Sequence, residues 1–101
     1  MFVHSVYFWL RPDLSPEQQE TFLRGARALT AIESVRHGWV GAPAPTNRPV
    51  VDRSYSYALT VVFDDQEAHD HYQDHPVHAR FRDECGQFWT RVLIYDSVED
   101  Q

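Results

Sequence analysis

The chain has 101 residues and a mass of 11.8 kDa, which is room for one domain, residues 1–101, built around one core. With 43% hydrophobic, 14% aromatic and 24% charged residues it is expected to fold rather than stay disordered. Fifteen acids against nine bases give a net charge of -6, the wrong sign for a nucleic-acid partner, and all nine bases are arginine, so no lysine exists to form a Schiff base.

Residues Phe2 to Leu10 read as a strand with both faces largely apolar: His4, Val6, Phe8 and Leu10 alternate with Val3, Ser5, Tyr7 and Trp9. Ser15-Pro16-Glu17-Gln18 combines an N-cap serine, a proline at the first helical position and a capping-box glutamine, so a helix begins at Pro16. Phe22, Ala26 and Leu29, with Leu23 beside them, recur at helical spacing and give it one core-facing stripe.

A short strand is expected at Ser34 to Val40, followed by a loop whose three prolines, Pro43, Pro45 and Pro49, exclude ladder or helix. That loop is either a plain connector or a flap over a binding site. Ser54 to Phe63 alternates as a strand, with Tyr55, Tyr57, Leu59, Val61 and Phe63 on one face.

Asp64 or Asp65 caps a short helix through Ala68 to about Tyr72, and the His75-Pro76 step interrupts it, because the residue before proline is pushed out of the helical region. A new helix starts at Pro76, carries Val77, Phe81, Cys85 and Phe88 or Trp89 at helical spacing, and tolerates Gly86 on the way to Trp89. Thr90 to Val98 is the last strand, with Val92, Ile94 and Asp96 on one face and Leu93, Tyr95 and Ser97 on the other. The order β-α-β-β-α-α-β predicts an α+β, ferredoxin-like sandwich.

No stretch approaches the roughly 18 to 20 apolar residues of a bilayer span, and the start lacks a basic signal region, so the expectation is a soluble, cytoplasmic chain without a membrane partner. The single cysteine, Cys85, reads as filler of a helix face. If the helices cover one face of the sheet, the other still presents Val3, Tyr7, Trp9, Val62, Leu93 and Tyr95. Covering several hundred Å² of it would contribute on the order of 10 kcal/mol before association costs, which predicts a homodimer.

Four of the six histidines, His69, His71, His75 and His78, fall within ten residues around Tyr72. His71 and His75 have the one-turn spacing of zinc-binding helices, but Pro76 is expected to spoil that geometry, and no metal is assigned. His75 is expected to cap the helix that Pro76 opens, with His69 and His71 solvated. His78 lies in the first turn of that helix, where the positive helix end disfavours an imidazolium. A neutral imidazole beside a phenol such as Tyr72 could take a proton next to a carbonyl while the phenol supports the enolate oxygen, without a cofactor.

Read together, the Val3-to-Arg11 strand, the Tyr57-to-Asp64 strand, the Tyr72-Gln73-Asp74-His75-Pro76-Val77-His78 segment and the Val92-to-Asp96 ending resemble the stress-responsive α/β-barrel (Dabb) domain family over almost the whole chain. The resemblance implies a ferredoxin-like subunit paired into a dimeric α/β barrel. One branch, similar to the olivetolic acid cyclase-type polyketide cyclases, closes a ring by aldol condensation with a tyrosine and a histidine, whose positions match Tyr72 and His78.

By the same resemblance His75 and Asp96 support the site, together with His4 and with Tyr57, which stands in place of a histidine. Val6, Phe8, Phe22, Leu59, Phe81, Trp89, Val92 and Ile94 would line a pocket for an apolar or aromatic, carbonyl-bearing small molecule. Leu23 and Ala26 replace bulkier aromatic groups, which implies a different substrate. A non-catalytic stress or ligand-binding role, a cofactor-free monooxygenase and a haem-binding role are the alternatives left open at this level.

Overall fold

The apolar alternation of the first strand places it at the centre of the sheet. In the computed structural model, which describes residues 1–100, β1 (Phe2–Leu10) lies between β3 (Tyr57–Phe63) and β4 (Trp89–Val98), and β2 (His37–Gly41) adds to β3, giving the antiparallel order β2-β3-β1-β4. Three helices, α1 (Pro16–Leu29), α2 (Gln66–Asp74) and α3 (Pro76–Cys85), cover one face. The element order and the ferredoxin-like class are those read from the sequence.

Local chemistry explains the boundaries. Ser15 Oγ accepts from Gln18 N at 3.1 Å while the Gln18 side chain accepts from Ser15 N at 2.9 Å, so the capping box opens α1 with Pro16 in its first turn. Asp65, not Asp64, caps α2 by accepting from Ala68 N. Phe22, Ala26 and Leu29 of α1 are buried against Phe8, Leu59, Phe63 and Phe81, with Phe22 in edge contact with Phe8 at a centroid distance of 5.0 Å.

Several boundaries depart from expectation. β2 starts at His37 rather than Ser34, because Ile32 N donates to Leu29 O and Val35 N to Ile32 O, which spends residues 30–35 on turns. β3 starts at Tyr57 rather than Ser54: Ser56 N donates to Phe8 O and Leu10 N to Ser56 Oγ, and the chain bends there. Tyr55 thereby lands against Tyr7, with centroids 5.0 Å apart, on the face opposite to the one its alternation assigned. α3 ends at Cys85, and Gly86–Phe88 form a 3-10 turn before β4.

Gly25 marks the crossing of α1 over α3, where an added Cβ would lie 3.0 Å from Phe81 Cδ1 and 3.2 Å from Cys85 Sγ. Phe22→Ala, which empties a fully buried site, is expected to cost about 3–5 kcal/mol of unfolding free energy, against about 1 kcal/mol for Ser15→Ala. Urea unfolding of the two variants checks the ranking; equal costs would place the stabilising packing elsewhere.

Candidate functional site

Helices α1 and α3 cover β3 and β1, but the edge strand β4 runs out beyond them. Val92 and Ile94, which point to the helix side as expected, remain 41% and 48% exposed. The result is a hollow of about 180 Å³, comparable to the roughly 150 Å³ cavity that holds benzene in an engineered apolar core. Val6, Phe8, Leu59 and Phe81 line its floor, Trp89, Val92 and Ile94 its outer wall.

Tyr72 and His78 both border this hollow, their rings in edge contact with centroids 5.0 Å apart. The interruption between α2 and α3 brings them together. His75 adopts an extended backbone, its Nδ1 accepts from Val77 N at 3.1 Å, and Pro76 begins the new helix. The last turn of α2 and the first turn of α3 are thereby aimed at one point.

The electrostatics of the pair follow from burial. Tyr72 is fully buried with its hydroxyl unpartnered, and desolvation raises its pKa well above the usual phenol range, so it stays a protonated donor. His78 is lowered to about 4, first by burial, then by the Arg82 guanidinium and by His4 and His69. The expectation from the helix end gave the right direction, but desolvation is the leading cause. His78 Nδ1 is also buried without a partner.

Behind them, register pairs His4 with Asp96 across β1 and β4, and His4 Nδ1 meets Asp96 Oδ1 at 2.5 Å. Only an N–H between a ring nitrogen and a carboxylate satisfies both, so the proton sits on Nδ1 and the lone pair on Nε2. His4 is 2% exposed, and its pKa is lowered by burial in spite of the opposing pull of Asp96.

Four of the residues expected at the site do not line the hollow: Asp96 reaches it only through His4, and Phe22, Tyr57 and His75 lie away from it. Phe22 is sealed in the core, stacked on Tyr57 at 5.7 Å, and borders no part of the hollow. Tyr57 lies against Phe22 of α1 and lines a separate depression with Leu10, Pro12, Leu14, Gln19 and Ser56. His75 faces outward, its Nε2 3.4 Å from Glu33 Oε2. Leu29, Gln73 and Arg82 are lining residues that the sequence reading missed; Arg82, one turn after His78 on the same helix face, was findable by spacing. The proline-rich segment 42–49 contributes no lining residue.

Two groups carry metal-ligating atoms near one another. Glu33 takes His71 Nε2 at 3.0 Å and lies beside His75, so Pro76 does not separate the two imidazoles as expected. With Nδ1 of His75 accepting from Val77, however, its Nε2 must carry the proton, and a metal there would break the helix cap. In the second group, His4, His69 and Asp96, the direct His4–Asp96 bond occupies the space between the donors. His69 is not solvated: it is 13% exposed and stacks on Phe2 at 4.5 Å.

The family model described as the stress responsive A/B barrel domain matches residues 2–99. Among solved structures, a Dabb family protein with a ferredoxin-like fold from Mesorhizobium loti is 29% identical, with 99% of this chain and 97% of that one covered and a TM-score of 0.79. A ferredoxin-like protein from Thermobifida fusca, described as dimeric, is 19% identical over 97% and 90% at 0.78, and a hydroxynitrile lyase from Passiflora edulis is 14% identical over 99% and 94% at 0.79. These last two share the fold. No curated protein matches the chain.

The His78 shift has a definite sign for stability. The unfolded chain takes up a proton as pH falls through about 6.5, while the folded chain resists until about 4, so stability is present above the upper value and is lost progressively between the two. His4 adds in the same direction. Urea midpoints at pH 7.5 and pH 5 are expected to show a clear fall, smaller in His78→Gln; an identical fall in the variant would place the titration elsewhere.

Proposed function

Because the chain belongs to the stress responsive A/B barrel domain family, we propose that it works as a homodimer that binds a small apolar or aromatic, carbonyl-bearing molecule in the hollow. There it moves a proton at the carbon next to the carbonyl. The observation that carries this reading is the pair of buried, unpartnered polar atoms, Tyr72 Oη and His78 Nδ1, on residues bordering a mostly apolar cavity. Each orphan costs about 1–3 kcal/mol in the empty chain, a cost that a ligand oxygen or polarised C–H would relieve.

The roles follow from protonation state. Tyr72 keeps its proton and donates to the ligand carbonyl oxygen as negative charge develops there. His78, uncharged at neutral pH, accepts the proton and returns it to carbon or oxygen. Asp96 holds His4 in one tautomer beside Tyr72, with ring centroids 5.8 Å apart, so that a lone pair faces away from the carboxylate. Both orphan atoms are sealed from water, so ligand entry must part the rings that cover them. Once bonded, the ligand gains hydrogen bonds whose desolvation cost the fold already carries.

Such chemistry is shared by aldol cyclisation and carbonyl-forming lyase steps, and a hydroxynitrile lyase is among the proteins with this fold. The test is exchange of the α-protons of an aryl alkyl ketone for deuterium, followed by NMR. Exchange is expected to slow by about 10²-fold or more in His78→Ala and in Tyr72→Phe; wild-type rates in His78→Ala would overturn the assignment.

The dimer rests on the sheet face away from the helices. Tyr7, Trp9, Leu93 and Tyr95 line an open depression there, Tyr95 is 62% exposed, and Trp39, which pairs with Thr60, extends the same face. That the ferredoxin-like protein from Thermobifida fusca is described as dimeric supports a dimer. Light scattering is expected to give twice the 11.8 kDa chain mass at micromolar concentration and the single mass for Leu93→Arg; a monomer in the wild type would remove the dimer.

A further inference from the structure

The rim of the hollow carries one cation. Arg82 lies four residues after His78 on α3, so both side chains project from the same helix face and both border the cavity. Three other arginines are paired: Arg80 Nε donates to Glu84 at 2.9 Å, Arg11 to Asp13, and Arg36 faces Asp64. Arg82, like Arg27, Arg48, Arg53 and Arg91, takes part in no ion pair and no side-chain hydrogen bond among the described residues, and of these it is the one that borders the hollow. A free guanidinium at the mouth of an apolar hollow, in a chain of net charge -6, is a local exception to the charge of the molecule.

The remaining lining explains where a counter-charge would sit. Asp96, beside the hollow, is already bound to His4, at the strand position opposite the start of β1. The walls between are apolar, and Gln73 is the other polar side chain of the lining outside the His4, Tyr72 and His78 group. A ligand ring resting on Val6, Phe8 and Leu59 would place a short polar arm at the rim, where the planar fork of an arginine matches a carboxylate with two parallel N–H donors.

We propose that the ligand is an apolar or monocyclic aromatic keto acid, its ring or chain in the hollow, its carbonyl at Tyr72 and its carboxylate on Arg82. The inference rests on the hollow being the binding site and adds the ionic group that selects its occupant. The cavity volume of about 180 Å³ limits the buried part to one ring with short substituents, leaving the carboxylate at the mouth. The Arg82 guanidinium also works against protonation of His78, and a bound carboxylate would soften that effect and strengthen the base as the ligand arrives.

Calorimetric titration with 4-oxo-4-phenylbutanoate and with its neutral primary amide tests this on the purified full-length protein. The acid is expected to bind about tenfold more tightly than the amide at low salt, with the preference shrinking as salt is raised. Arg82→Gln is expected to lower the affinity for the acid to that for the amide, and Arg82→Lys to recover only part of it. Amide and acid binding equally well to the wild type would overturn the role of Arg82 and leave the hollow as a binding site. Binding of neither would overturn both readings. Arg82 is exposed on its helix, so thermal melting of the variants within a degree or two of wild type confirms that recognition, not folding, has changed.

Discussion

One hydrogen bond, from the Val77 amide to Nδ1 of His75, sets the geometry on which the candidate site depends. Pro76 prevents a continuous helix and donates no hydrogen bond of its own, and this cap works together with the His75 backbone, whose N–H donates to Tyr72 O and whose carbonyl accepts from His78 N and Ala79 N. With it, an extended residue separates two short helices, and Tyr72 from one meets His78 from the other at a fixed distance. A residue that caps a helix therefore positions two residues that face a cavity, while its other nitrogen faces Glu33 on the outside.

The cavity itself comes from a mismatch of coverage. Three helices of 14, 9 and 10 residues cannot roof all four strands, and β4, paired to β1 along nine positions, is the strand left over. Its inward-facing valine and isoleucine are therefore walls rather than core. Packing density elsewhere is what makes the hollow informative: Phe22, Phe63, Leu59 and Val61 are almost fully buried, so space beside them is not slack in the core but a feature of where the helices stop.

Burial then decides the chemistry of the polar groups that the hollow borders. Desolvation acts on Tyr72 and His78 in opposite senses on the pKa scale but to one end, an uncharged pair at neutral pH. His4 shows how a carboxylate partner modifies this: the Asp96 bond opposes the desolvation that still dominates. Charge enters this environment at its edges alone, through Asp96 behind His4 and Arg82 at the rim.

Alternation and caps, which are local, were legible in the sequence. The inward face of β1, the start of α1 at Pro16, the break at Pro76 and the position of Tyr72 and His78 either side of it all follow from side-chain period and backbone restriction within a few residues. What lay beyond reach was anything set by where one element ends against another. Phe22 and Tyr57 share the apolar face of their elements with true lining residues, and only the crossing of α1 over the sheet seals one in the core and turns the other to a separate depression beside α1. The side of the sheet on which Tyr55 falls was decided by a hydrogen bond between Ser56 and Phe8, 48 residues apart in sequence. The pairing of Glu33 with His71 and the solitude of Arg82 are likewise tertiary facts, because a charge is neutralised or left free by neighbours that only the folded chain supplies.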